Sequence, residues 1–387
     1  MVALPARRLA AVPAPVIAEL GGLVAENPGC LSLGQGMVSW GPPPVVAELL
    51  ALASSNDMAL HRYGPVQGDG ALLQALQRQL IQNNGLDLEG SSLLITAGSN
   101  MAFNAVIQVL CDPGDEVILP VPYYFNHAMA VQLSGGVPVA VEAGLVPDPD
   151  QLAAAISDRT RAIVTVSPNN PSGTVIPAEV LAAINQLCAR RGLLHISDEA
   201  YEHFTYGGAV HWSPGAGSGS GAHTVTLQSL SKSHGMAGWR LGWLVAPQAL
   251  AADLAKVQDT ILICPPQIVQ RAASAALSAG SDWCRQQVAA LEPRRQQLLA
   301  AFQHPDAPWR LLGEPQGAFY GLLELDAPID ADTAMRRLVR EHGVAVVSGS
   351  SFGLAGCRLR LSYGMLAAGE LDEALRRLQT GLAVLSG

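Results

Sequence analysis

The stretch Ser229-Leu-Ser-Lys232-Ser-His-Gly-Met-Ala-Gly-Trp-Arg240-Leu-Gly-Trp243 lies between two short apolar runs, 224–228 and 241–246. Runs of that length, bounded by turn residues, read as strands, so the stretch is a loop between two of them. Lys232 is one of only two lysines in a chain of 387 residues that otherwise carries its positive charge on 21 arginines. The second, Lys256, falls in a polar helical pattern (LAKVQD) and needs only solvent. An amine can lose its proton and attack a carbonyl, which a guanidinium cannot. An isolated loop lysine is about as often merely solvated as reactive, so its neighbours decide the matter.

Working outward, further apolar runs occur at 117–121, 137–141, 162–167 and 193–197. Between them lie helical patterns at 67–82, with Leu72, Leu73, Leu76 and Leu80 on one side, and at 100–111. Short apolar strands alternating with helices predict an α/β chain with a mostly parallel sheet covered on both faces. Pro214–Gly221 (PGAGSGSG) reads as a flexible surface loop, and 281–304 as a long helix bent or interrupted at Pro293. A domain boundary is expected near 275–290. It divides the chain into an N-terminal arm (1–40) packing on the C-terminal part, a large domain (41–280) and a small one (281–387).

Composition narrows the function classes. Apolar residues are 49% and charged residues 14%, which excludes a disordered or fibrous chain. Net charge is −9 without any basic run, which argues against a nucleic-acid or anionic-membrane partner. No apolar run reaches the ~18 residues of a membrane span, and the start (Arg7, Arg8, Pro13, Pro15, Glu19) lacks a signal-peptide apolar block. The six cysteines (30, 111, 188, 264, 284, 357) include no CxxC pair, so neither a zinc ribbon nor a redox dithiol is expected, and no metal site is read. A cytoplasmic location is the expectation.

The chain resembles the pyridoxal-phosphate-dependent, fold-type-I class I and II aminotransferases from Leu31 to Tyr363, most specifically in SLSKSHGMAGWRLGW. The resemblance implies a large domain with a mostly parallel seven-stranded sheet plus a smaller α/β domain. It puts Lys232 in the place of the lysine that binds pyridoxal 5'-phosphate covalently. Arg240 and Ser229 match the family's phosphate-binding arginine and serine. Asp198, in Ile196-Ser-Asp-Glu-Ala-Tyr201, ends an apolar strand with a carboxylate that would keep the pyridine nitrogen protonated and the ring an electron sink. Tyr201 and Asn170, the latter in Ser167-Pro-Asn-Asn-Pro-Ser-Gly173, match donors to the ring oxygen. Alone, an Asp at a strand end is as readily a helix cap, and NNPSG simply a turn. The weight comes from strand ends, where open α/β sheets bind ligands.

Gly98-Ser99-Asn100 opens a helix, a ready phosphate cradle, though Ser99 is equally an ordinary cap. Tyr124, in Pro122-Tyr-Tyr-Phe-Asn-His127, aligns with the aromatic that stacks on the pyridine ring. Tyr63, in Tyr63-Gly-Pro-Val-Gln-Gly68, matches a tyrosine that reaches the neighbouring subunit's phosphate, implying a homodimer with shared active sites. Arg360 matches the arginine that grips the substrate α-carboxylate as a bidentate fork, with Arg358 expected to point to the other face. Gly36 resembles a backbone contact to the same carboxylate.

The family's usual G-x-P-D-F continuation is replaced by Gly36-Met-Val-Ser-Trp40, and its PGS-x-F loop by Ser348-Gly-Ser-Ser-Phe352. Met37 and Trp40 are expected to form an apolar wall beside the substrate side chain. GQGMVSW and PYYFNH look most like a plant and cyanobacterial branch that uses aromatic amino acids and methionine. The expected function is transfer of an amino group from an aromatic, methionine or other neutral L-amino acid to a 2-oxo acid. A C–S β-lyase and an aspartate aminotransferase remain open. A serine hydrolase is not supported: Gly349-Ser-Ser351-Phe-Gly353 spells G-x-S-x-G, but the last histidine, His342, precedes Ser351. A sensor domain of a DNA-binding regulator finds no support in the acidic charge.

Overall fold

The computed structural model describes residues 6–53 and 56–387. After a two-residue strand β1 (Leu31–Ser32) come β2 (Ser91–Thr96), β3 (Glu116–Pro120), β4 (Val137–Val141), β5 (Thr160–Val166), β6 (Leu194–Asp198), β7 (Thr224–Ser229) and β8 (Gly242–Pro247). Strands β2 to β8 form one seven-stranded sheet in the order β2-β8-β7-β6-β5-β3-β4. Only β8 runs against its neighbours; the remaining pairs are parallel. Every residue of β3, β7 and β8 is buried, as a sheet covered on both faces requires. Alternation along β8 shows the two coverings. Leu244 and Ala246 pack with Ala102, Phe103 and Val106 of the helix Ser99–Leu110. Trp243 and Val245 pack with Leu72, Leu76 and Leu80 of the helix Gly70–Asn84.

That second helix starts where Asp69 accepts the Leu72 amide at 3.0 Å and stops at Gly85, whose φ of +69° a side chain would resist. A second sheet, β12-β13-β10-β9, is built from β9 (Trp309–Leu311), β10 (Tyr320–Leu325), β12 (Val347–Ser348) and β13 (Cys357–Ser362), all antiparallel. The strand β11 (Val344–Ala345) pairs in parallel with β1. The N-terminal helix Val16–Glu26 buries Val16, Leu20 and Leu23 in a cluster with Leu322 and Val347 of this sheet, Met335 and Val339 of the helix Ala331–His342, and Val121 and Phe125 just after β3.

Three local expectations need correction or refinement. The six strands read from sequence are present, but β2 was not among them. Its first three residues, Ser91, Ser92 and Leu93, are only half-buried at the sheet's edge, which weakens the apolar signal. Pro214–Gly221 is not a free surface loop. It contains two short 3-10 turns with Pro214, Gly215 and Ser220 buried, and the Ser220 hydroxyl donates to the carbonyls of Gly215 and Gly217 at 2.9 and 2.6 Å. The 281–304 pattern is two helices, Gly280–Ala289 and Glu292–Ala301, with Pro293 in the first turn of the second, where its missing N–H costs nothing.

Candidate active site

The C-terminal ends of β6 and β7 place Asp198 and Ser229, and the turn after β5 places Asn170. Ser99 opens the helix that follows β2, and Arg240 precedes β8. From the second sheet β13 contributes Arg360. Together with Gly36, Met37, Asn100, Tyr124, Tyr201 and Lys232 these residues line one cavity of about 280 Å³. A wider groove of about 1100 Å³, bounded by residues such as Trp309, Arg310 and Arg358, contains none of them. The smaller cavity is therefore the one with converging chemistry.

Its floor is a braced carboxylate. Asp198 is buried, its Oδ2 lies 3.0 Å from His127 Nε2, and its Oδ1 accepts the Ala200 amide at 3.1 Å. His127 is fixed in turn by Phe103, whose ring stacks on it at 4.1 Å. Lys232 donates from Nζ to the Gly36 carbonyl. Burial, then the charges of Arg360 and Arg240, push its amine down to about 8, against a smaller opposing pull from Asp198. An amine poised there is partly deprotonated near neutral pH, as a nucleophile or general base must be.

One end of the cavity is built for an oxyanion. The helix Ser99–Leu110 presents first-turn amides that its own hydrogen bonds leave unused. Two glycines make the approach possible. A Cβ on Gly242 would lie 2.7 Å from the Ser99 nitrogen, and a Cβ on Gly98 2.5 Å from Arg240 Nη2. Gly98 also has φ of +85°, which only glycine adopts without strain. Arg240, itself at φ +54°, is steadied by the Ala237 carbonyl at 2.8 Å. The Ser229 hydroxyl accepts the Ser231 amide at 2.9 Å, and both serines face the cavity.

At the other end sits Arg360, 1% exposed. Its Nη1 donates to Asn170 Oδ1 at 3.1 Å and its Nη2 to the Gly34 carbonyl at 2.6 Å, both neutral acceptors. Its Nε has no partner. Rings of Tyr320 and Phe352 lie 4.6 and 5.4 Å from the guanidinium carbon. The similarly buried Arg295 is met by two carboxylates, Glu292 and Glu314. A buried cation with only neutral partners is costly, and an incoming anion relieves that cost.

Strand periodicity puts Arg358 and Arg360 on the same face of β13, contrary to the expectation of opposite faces. What separates them is position along the strand: Arg358 stands opposite Glu324 and pairs with it at 2.9 Å, while Arg360 stands opposite Leu322 and faces the cavity.

Gly98 lies just behind the cavity, against Arg240. Trp40 is not part of the wall expected of it. Its indole N–H donates to the Ser233 carbonyl at 3.3 Å and its ring stacks on Phe204 at 6.2 Å. Tyr63 is 81% exposed and does not line the cavity of its own chain. Residues absent from the sequence reading also meet here, notably His127, Ser231, Ile17 and Tyr320. His127 had a signal: it stands three residues after Tyr124 on one helix, Phe125–Leu133 with Tyr124 as its cap, and so shares a face with it.

Pyridoxal phosphate fits this set of donors. Ser99, Asn100, Ser229, Ser231 and Arg240 suit its phosphate, Asp198 its ring nitrogen, and Tyr201 and Asn170 its ring oxygen. Lys232 would supply the amine for its aldehyde.

Comparison with known proteins shows the family. Residues 28–378 match the family described as Aminotransferase class I and II. The chain is 36% identical over 390 residues to the aromatic aminotransferase ISS1 of Arabidopsis thaliana, covering 98% of this chain and 96% of that protein. It is 36% identical over 336 residues to a probable aspartate/prephenate aminotransferase of Thermus aquaticus, covering 83% and 84%. The solved structure of Thermus thermophilus aspartate aminotransferase with maleate superposes with a TM-score of 0.88 at 32% identity, covering 98% of this chain and all of that one.

Proposed function

Because the chain belongs to the class I and II aminotransferases, pyridoxal-phosphate-dependent enzymes that pass an amino group from an amino acid to a 2-oxo acid, we propose that its donor is a neutral L-amino acid, aromatic or methionine-like. The observation that carries this is the charge inventory of the cavity. Among the described residues, Asp198, Lys232, Arg240 and Arg360 are its only charged lining residues, and Ile17, Met37 and Phe125 give it an apolar side. A phosphate and one α-carboxylate use Arg240 and Arg360. In the lining that one chain supplies, a second substrate carboxylate finds no further cation among the described residues. The name of the Arabidopsis relative supports the aromatic reading.

When bound, pyridoxal phosphate supplies an aldehyde for the substrate amine and an electron-poor ring that stabilises negative charge at the substrate Cα. Lys232 holds the cofactor through its amine and, once displaced by substrate, carries the proton to and from Cα as general base and acid. Asp198, braced by His127, holds a proton on the ring nitrogen. Tyr201 and Asn170 serve the ring oxygen. Arg360 orients the α-carboxylate, which fixes which Cα bond faces Lys232. Gly36 and Met37 flank the substrate. Residues 41–280 make up the cofactor-carrying domain and residues 281–387 a smaller domain that brings Arg360, while of residues 1–40 the described part, from residue 6, is an arm whose helix Val16–Glu26 packs on the smaller domain and also meets Val121 and Phe125.

The enzyme is a homodimer in which Tyr63 of each chain completes the other's phosphate site. Supporting this, exposed Tyr63, Leu52 and Met58 accompany an apolar groove lined by Val45, Leu49, Leu60 and Ile268. Six free cysteines suit a reducing, cytoplasmic location; among the described residues no helix is long and apolar enough to cross a membrane. The test is single-turnover spectroscopy of the loaded enzyme with one amino acid at a time and no acceptor. Aromatic amino acids and methionine should bleach the visible band fully. Bleaching by aspartate alone refutes the neutral-donor reading, and release of pyruvate or ammonia with the band persisting means elimination instead.

A further inference from the structure

We propose that Tyr320 is a positioning residue for amino transfer: its hydroxyl donates to Tyr201, freeing the Tyr201 proton for the cofactor, while its ring holds Arg360. The inference rests on the roles proposed above for Tyr201 and Arg360.

Tyr320 opens β10, is fully buried and lines the cavity. Its hydroxyl oxygen lies 2.8 Å from that of Tyr201. Each phenol has one proton, so only one of the two donates in this pair. Were Tyr201 the donor, its proton would be used up inside the wall, and nothing would remain for a ring oxygen in the cavity. The surroundings decide the direction. Arg360 lies 4.6 Å from the Tyr320 ring centroid, and a cation there makes the Tyr320 O–H the more acidic. Burial raises both phenols, Tyr320 to about 12 and Tyr201 well above its ordinary value, and it is the Tyr320 ring that the Arg360 guanidinium covers. The more acidic phenol donates and the other accepts. The remaining charged or titratable groups facing the pair are Tyr124, Lys232 and Asp198.

The ring's second task follows from strand register. Tyr320 pairs with Ser362 and Leu322 with Arg360, so Tyr320 and Arg360 are diagonal neighbours on adjacent strands, within reach of long side chains. The backbone at Gly36 is moulded to the same hydroxyl, since a Cβ there would lie 3.0 Å from it. One residue thus connects the carboxylate grip to the donor for the cofactor ring.

The experiment compares Tyr320→Phe, which keeps the ring, with wild type, both loaded with cofactor. Without the incoming hydrogen bond, Tyr201 donates less strongly and stabilises the basic form of the bound chromophore less. The pH at which the visible band titrates should rise by about 0.5–1 unit, the size one hydrogen bond supports. The KM for amino acid should hold while kcat falls. In the double variant with Tyr201→Phe, the band should titrate where it does in Tyr201→Phe alone. Tyr320→Leu, which also carries the test if the phenylalanine variant does not fold, should shift the band equally. It should also weaken calorimetric binding of an unreactive monocarboxylate, 3-phenylpropionate, to the cofactor-loaded enzyme about tenfold. An unmoved titration in Tyr320→Phe, with a clear shift in Tyr201→Phe, overturns the inference. If Tyr201→Phe shifts nothing and Arg360→Lys leaves KM intact, the assigned roles fail instead.

Discussion

Replacing Arg360 tests the site at its most exposed assumption. The guanidinium is buried, held by two neutral acceptors, and has an unused Nε facing no partner. If it binds the α-carboxylate as a fork, two charge-assisted hydrogen bonds are at stake, each worth about 1.5–3 kcal/mol. Arg360→Lys keeps a point charge but loses the fork, so one bond goes and kcat/KM should fall roughly 10- to 150-fold. Arg360→Met loses both, and the fall should reach roughly 10²- to 10⁴-fold. The control is an amine without a carboxylate, such as 2-phenylethylamine, assayed as a single half-turnover by stopped-flow absorbance. That compound has nothing for Arg360 to hold, so its slow rate should change less than threefold or so between wild type and Arg360→Met. An equal loss for the amine and for phenylalanine refutes the assignment, because the arginine would then be acting on the pocket and not on the carboxylate.

Three further outcomes are expected. In the apoprotein, burial depresses Lys232 from 10.5 to about 8. Its charged form therefore opposes folding below about pH 8, and that opposition fades as pH rises toward 10.5. Lys232→Met should abolish turnover yet stabilise the apoprotein at pH 7 by up to about 3 kcal/mol in denaturant melts, with the gap closing near pH 10; a gap independent of pH contradicts this. His127→Asn removes one hydrogen bond to the Asp198 carboxylate, so kcat should fall about tenfold with KM unchanged, and a pure KM effect counts against the bracing role. Gly98→Ala forces a side chain onto Arg240 and into φ of +85°. Cofactor titration should show binding weakened about tenfold or more, and unaltered affinity would remove Gly98 from the phosphate cradle.

The sequence carried the parallel sheet because its strands are continuous apolar runs, and the cavity because its residues cluster at strand ends and helix starts. Lys232, Asp198, Asn170, Ser229 and Arg240 each belong to a short local string with its own chemical logic. What escaped was long-range. Trp40 looked like pocket wall because Met37 is. Its indole instead turns to the Ser233 carbonyl, 193 positions away in the chain, which no local pattern announces. Tyr320 begins an apolar strand and gave no signal at all, since its neighbours Tyr201 and Arg360 are assembled only by tertiary folding. Strand β2 failed for an opposite reason: half-buried edge residues carry weak periodicity.

The cavity's electrostatics explain why these particular misses matter. Three cations and one carboxylate line it, and the carboxylate is already bonded to His127 and the Ala200 amide. Arg240 is exposed at the mouth, but Arg360 is a buried cation held only by neutral acceptors. A phosphate and a carboxylate supply what is missing, so each ligand should stabilise the fold as well as be bound by it. The same imbalance bears on specificity. With phosphate at Arg240 and one carboxylate at Arg360, as proposed, Lys232 is the remaining cation among the described lining residues, and the cofactor would occupy it. On the proposed reading, a second donor carboxylate meets Ile17, Met37 and Phe125 of this chain, at a desolvation cost that a phenyl or thioether side chain avoids. The proposed preference for neutral donors thus rests on which charges the described wall of one chain lacks.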